Sequence, residues 1–175
     1  MLIGVREDFA IECIHEPDYP NDRGWVYGRM CLWGRGVELG NLSEPACMLN
    51  VTEGQFQDCL GRLDELHDEF VDDLPDEAAF RLLDAALYLD NDRSNQQVHA
   101  DALRYSKFNF LNNWGESFDG ITAFLLKSGD HFRILYRLSC DTMGSIEVTR
   151  DGLVNAMLAF LEWMSIEKRA VPVAS

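Results

Sequence analysis

Ile121-Thr122-Ala123-Phe124-Leu125-Leu126-Lys127-Ser128-Gly129-Asp130-His131-Phe132-Arg133-Ile134-Leu135-Tyr136-Arg137-Leu138 is the clearest hairpin in the chain. Two apolar runs flank Lys127-Ser128-Gly129-Asp130, and Phe132, Ile134, Tyr136 and Leu138 recur with the period of two that places them on one face of a strand. Downstream, Ser145 to Val148 reads as one more short strand. Thr149 then caps a final helix, whose buried stripe is Leu153, Met157, Phe160, Leu161 and Met164.

Upstream of the hairpin the period is helical. Phe56, Cys59, Leu60, Leu63, Leu66 and Phe70 recur at steps of three and four, with Thr52 and Gln55 spaced as a capping box. Pro75 ends that helix by removing a donor and disfavouring the helical region for its predecessor. A second helix runs through Ala79, Phe80, Leu83, Ala86 and Leu87, and a weaker third one through Gln96 to Tyr105. At the start of the chain, Phe9 to Ile14 and Trp25 to Trp33 read as strands separated by the turn-rich Glu16 to Gly24. Gly34-Arg35-Gly36 reverses into Val37 to Leu42, because glycine supplies the positive φ of a tight loop. Strands, helices, strands, helix is the order of an α+β domain: a mostly antiparallel sheet with helices packed on one face, in a single domain over residues 1–175.

Between Asp64 and Glu77 the helical region carries Asp64, Glu65, Asp68, Glu69, Asp72, Asp73, Asp76 and Glu77, with no Lys or Arg among them. Like charges four apart on a helix cost roughly 0.2–0.5 kcal/mol per pair, so this arrangement opposes the helix that bears it. Asp76 and Glu77 suit the N-terminus of the next helix, whereas Asp68, Glu69, Asp72 and Asp73 fall at the unfavourable C-terminal end of the preceding one. Asp58, Glu65 and Asp72 lie opposite the Leu63 and Phe70 stripe and are expected to be exposed. The residues read equally as a solvated face or as a surface for a partner of opposite sign. In the second reading the candidate partner-binding residues are Asp58 and the eight acids from Asp64 to Glu77.

Composition narrows the classes further. Thirty acidic against fifteen basic residues leave a formal charge of −15, and the basic residues are scattered singly, which disfavours nucleic acid and anionic membrane. Arg6, Glu7 and Asp8 interrupt the N-terminal segment, and no apolar run approaches a membrane span, so a cytoplasmic protein is expected. Cys13, Cys31, Cys47, Cys59 and Cys140 are odd in number and lack a C-x-x-C spacing, consistent with core thiols in a reducing compartment.

Catalytic and cofactor signatures are weak. Gly115-Glu116-Ser117-Phe118-Asp119 approaches a nucleophile elbow but has Asp at the final glycine position, and turn hydrogen bonds explain Ser117 and Asp119 as well. His15, His67, His99 and His131 share no ligand spacing. Asp90, Asp92, Ser94 and Asp101 imitate a calcium loop without its glycine or its terminal Glu. Gly34 and Gly36 precede a strand rather than the helix that would hold a nucleotide phosphate. No metal, cofactor or enzymatic activity is expected.

Phe9-Ala10-Ile11-Glu12-Cys13, then Trp25-Val26-Tyr27-Gly28-Arg29-Met30-Cys31-Leu32-Trp33 with Glu38-Leu39-Gly40, resemble the opening of immunity protein family 42 of bacterial polymorphic toxin systems. Ser117-Phe118-Asp119 and Gly144-Ser145-Ile146-Glu147-Val148, with the amphipathic helix after them, resemble its later part. The resemblance implies a small cytoplasmic protein, encoded beside a toxin, that binds the cognate toxin domain and blocks it without chemistry. A basic nuclease is the expected target and a monomer the expected state. The alternatives are a chaperone or adaptor for a secreted effector, and a hydrolase using Ser117 or a cysteine.

Overall fold

The computed structural model describes residues 1–18, 25–44, 47–89 and 92–170. Residues 19–24 of the turn expected over Glu16 to Gly24, and Asp90 of the calcium-like spacing, therefore lie outside the described residues.

Antiparallel strands open the chain. β1 (Leu2–Gly4), β2 (Phe9–His15), β3 (Tyr27–Gly34) and β4 (Val37–Gly40) follow one another across a sheet, and β5 (Cys47–Met48) pairs with β3 beyond the end of β4. The expected meander is present, with β1 added at its edge. Gly34 pairs with Val37, leaving a two-residue turn in which Arg35 (φ 49°) and Gly36 (φ 79°) are both left-handed. That geometry matches strand twist and explains why the reversal is so short. At Gly28 a Cβ would sit 2.2 Å from the Ile14 carbonyl oxygen and 2.8 Å from Leu49 Cδ1, so only glycine lets β2 approach β3 there.

α1 (Leu49–Arg62) begins three residues before Thr52, which is a correction to the expected cap. Its start is tied to the head of β3: the Val26 N–H donates to Asn50 Oδ1 at 2.7 Å, and the Leu49 N–H donates to the Val26 carbonyl. Thr52 is instead buried in the helix, where its hydroxyl donates to the Trp114 carbonyl at 3.0 Å. Phe56 meets Trp114 and Phe160 edge-on, each with ring centroids 5.2 Å apart, a geometry that adds to the burial of three large side chains. Phe160 comes from α5 (Arg150–Ala170), which packs on β1 and β2. Thr149 caps α5 as expected, accepting from the Gly152 N–H at 3.0 Å, while its own N–H donates to Asp8 Oδ1 at 2.8 Å.

The second set of elements comprises α2 (Glu69–Asp72), α3 (Asp76–Leu87), α4 (Asn95–Tyr105), β6 (Asn109–Phe110), β7 (Ile121–Ser128), β8 (His131–Leu138) and β9 (Met143–Thr149). β6 to β9 form a second antiparallel sheet in sequence order, with Ser128 opposite His131 across the hairpin. α3 packs on β7 and β8, with Phe80 5.3 Å from Phe124, and α4 packs on α3. α4 starts on a capping box in which the Ser94 hydroxyl accepts from the Gln97 N–H and the Gln97 side chain accepts from the Ser94 N–H.

The class is α+β, but the strands form two sheets rather than one. The chain divides into two compact units: Met1–Gly61, Asn113–Asp119 and Val148–Ser175 build the first, Arg62–Asn112 and Gly120–Glu147 the second. Each unit has its own sheet and its own helix on that sheet. Apart from β5, which pairs with β3, each strand pairs with its neighbour in the chain.

Candidate partner-binding surface

The acidic run folds as a broken path and not as the end of a long helix. After α1, Leu63–Glu65 make one 3₁₀ turn, Leu66 is buried, and the helix resumes only at Glu69 for four residues. Two backbone carbonyls are drawn away at the break: Leu66 accepts from the Lys127 N–H at 2.6 Å, and His67 accepts from the Lys107 ammonium at 2.7 Å. The break takes Asp64 and Glu65 off the helix that carries Glu69, whereas Asp68 and Asp72 stay one turn apart across α2.

Asp68, expected at an unfavourable helix C-terminus, is the N-cap of α2. Its Oδ1 accepts the Phe70 N–H at 3.1 Å, and Arg104 grips both oxygens at 2.7 and 2.8 Å. The Arg104 guanidinium, with the backbone donors, lowers the Asp68 pKa. Asp72 is half-buried, a correction to its expected exposure; its Oδ2 accepts the Asp68 N–H at 3.1 Å while Oδ1 is buried with no partner among the described residues. Desolvation raises the Asp72 pKa. Phe70, placed in the buried stripe by its spacing, is 56% exposed because the stripe ends where the helix does.

The chain's own cations cover much of the remaining run. Lys127 meets Asp64 at 2.9 Å, Arg133 meets Asp76 at 2.9 Å, and Arg81 reaches Glu77 one turn back at 2.7 Å. Beyond the run, Arg137 holds the buried Asp84 through two bonds of 2.7 and 3.1 Å. Glu65, Glu69 and Asp73 are exposed and carry no side-chain partner among the described residues. Asp58 is exposed on α1 and belongs to the first unit.

The pairing has a signal in the sequence that periodicity of the acids alone misses. Asp76 and Asp84 lie eight residues apart on a helix, a span of about 12 Å, and Arg133 and Arg137 lie four apart on a strand, about 13 Å. Matching spans let both ion pairs form at once when α3 lies on β8.

The residues considered for chemistry are spread over both units. Ser117 is 1% exposed and its hydroxyl has no partner among the described residues, so no base is in reach to activate it. Cys13, Cys31, Cys47 and Cys59 are buried thiols and Cys140 is exposed; burial pushes the Cys13 and Cys31 thiols up to about 12. His15 Nδ1 sits 2.6 Å from Glu167 in the first unit. Ser94 is a helix cap and Asp101 pairs with Arg93 at 2.5 Å, which accounts for two positions of the calcium-like spacing; Asp90 lies outside the described residues. Among the described residues no group of three His, Cys, Asp or Glu could hold a metal ion, and no helix is long and apolar enough to cross a membrane.

Both units are acidic and α+β, and carboxylates of the second remain at its surface once its internal pairs are made. Comparison gives the particular family: the immunity protein 42 model matches residues 1–163, and the chain belongs to that family, as a toxin-neutralising immunity protein. A search of solved structures finds the crystal structure of CdiI from Burkholderia dolosa AUO158, at a TM-score of 0.64 and 16% identity, covering 93% of this chain and 99% of that one. At that identity the likeness is one of fold. No curated protein matches the chain.

Proposed function

We propose that this chain binds a cognate toxin domain in the cytoplasm and neutralises it by occupying its surface, without catalysis, through carboxylates of the Asp64 to Glu77 run. The observation that carries this reading is the family match, which runs through both units. Within the run, Glu65, Glu69 and Asp73 are the carboxylates available to a partner, because Asp64, Asp68, Asp76 and Glu77 are engaged by the chain's own cations. Complementary charge speeds encounter and selects the partner, and a basic nuclease domain is the target that fits a surface of this sign.

Co-expression tests it. The unmodified chain is expected to rescue cells producing the toxin domain encoded beside it and to fail against unrelated toxins. Replacing Glu65, Glu69 and Asp73 together by Lys is expected to lower affinity for the cognate domain by at least about tenfold. Protection against several unrelated toxins would contradict the reading.

A further inference from the structure

The acidic run ends at Asp76 and Glu77, and these two residues open a groove in the second unit. Two adjoining cavities, of about 450 and about 490 Å³, share Phe80, Arg81, Asp141 and Met143. One wall is α3, which turns Asp76, Phe80 and Asp84 with Glu77, Arg81 and Ala85 toward the space, pairs of positions repeating every four residues. The other wall is the turn after β8 and the start of β9, the edge strand of its sheet. Gly144 keeps that wall close, since a Cβ there would fall 2.4 Å from the Tyr136 hydroxyl oxygen.

The charges of this lining are unequal. Arg81 is held by Glu77 and Arg137 by Asp84, so both lining cations are already matched, and Asp76 is matched by Arg133. Asp141 remains: exposed, at the tip of the turn with φ 59°, and with no side-chain partner among the described residues. An anionic segment entering here would meet no unmatched cation in the lining. A cationic one meets Asp141. Met143, half-buried, and Leu89, 53% exposed, offer apolar surface of the kind along which an arginine or lysine stem lies while its head reaches carboxylate.

We propose, on the basis of the toxin-neutralising reading above, that the groove between α3 and the Asp141–Ser145 segment is the specificity pocket of this immunity protein, receiving an Arg- or Lys-bearing segment of the toxin domain. The occupant's aliphatic stem covers Met143 and Leu89, and its head pairs with Asp141.

Calorimetry with the toxin domain encoded beside this chain tests the assignment. Ser145→Trp, at an exposed strand position, fills the groove and is expected to weaken binding about 100-fold, the scale of a blocked hot spot. Asp141→Asn keeps a residue that tolerates the left-handed turn while removing the charge; about tenfold weaker binding at low salt is expected, shrinking at high salt. Thermal melts of both variants report the fold, and Asp141→Asn decides the matter should Ser145→Trp unfold. Wild-type affinity in a folded Ser145→Trp, or in Asp141→Asn, overturns the groove assignment and leaves the immunity reading standing. No binding by the unmodified chain overturns both. A dimer of the unmodified chain that Ser145→Trp splits, with toxin affinity unchanged, makes the groove a self-interface and likewise overturns the proposal.

Discussion

Two aspartates four residues apart carry opposite linkage to pH. The folded pKa of Asp68 is lowered by Arg104 and backbone donors, so its contribution to stability is present above the unfolded carboxylate value of about 3.9 and is lost as pH falls through the folded value. That of Asp72 is raised by burial, so its contribution is present below about pH 3.9 and is lost as pH rises through the folded value. Asp68→Ala is expected to cost about 1–2 kcal/mol at neutral pH as a lost cap. Asp72→Asn is expected to raise Tm at pH 7, with the gain disappearing in acid. Melting curves at pH 7 and near pH 3 separate the two, and equal losses for both variants would contradict the assignment. Thiol labelling offers a second check at this scale. One thiol, Cys140, is expected to react in the native state, since the Thr142 hydroxyl lowers its pKa while the other four are buried; all five react in denaturant.

At the scale of elements, α3 on β8 depends on Arg137 reaching Asp84, whose side chain is 5% exposed. Arg137→Ala strands that carboxylate and is expected to cost about 3 kcal/mol, with part of the loss recovered in the Asp84→Ala and Arg137→Ala double variant. Denaturant titration of the cycle measures it, and full additivity would show that the pair is not coupled. The helices and strands themselves were largely legible. The hairpin at Ile121 to Leu138, the opening meander and the Thr149 cap follow from period and turn chemistry. The extent of the first helix did not. Its apolar spacing continues to Phe70, but tertiary demands on the Leu66 and His67 carbonyls stop it at Arg62, and Phe70 comes out exposed. Thr52 looked like a cap because its spacing to Gln55 fits one; its hydroxyl serves the Trp114 carbonyl instead.

For the whole molecule, periodicity shows which residues share a face but not which strands share a sheet, and so the division into two sheets was not legible. Family membership was, because strand and turn residues at both ends of the chain carry the resemblance. The acidic run was visible as a feature and illegible as a surface: its counter-ions, Arg81, Arg104, Lys127 and Arg133, lie outside the run, three of them more than thirty residues from their partners. Fifteen acidic and eight basic residues give the second unit −7, and fifteen acidic and seven basic give the first −8, so the units share the net charge, and the run with its eight acids accounts for all of the second unit's. Within the run, Glu65, Glu69 and Asp73 are the exposed carboxylates without a side-chain partner among the described residues. Ser117→Ala is expected to leave protection intact, because the hydroxyl is buried without a base; loss of protection by a variant that still folds would restore the hydrolase alternative.

The direct measurement is the dissociation constant of the complex with the cognate toxin domain across a salt series, for the unmodified chain and for the chain with Glu65, Glu69 and Asp73 all replaced by Lys. Affinity that falls steadily with salt in the first, and a weaker complex with a flattened salt dependence in the second, is the predicted result. One constant, unmoved by salt and unmoved by the three charge reversals, would contradict neutralisation through these carboxylates.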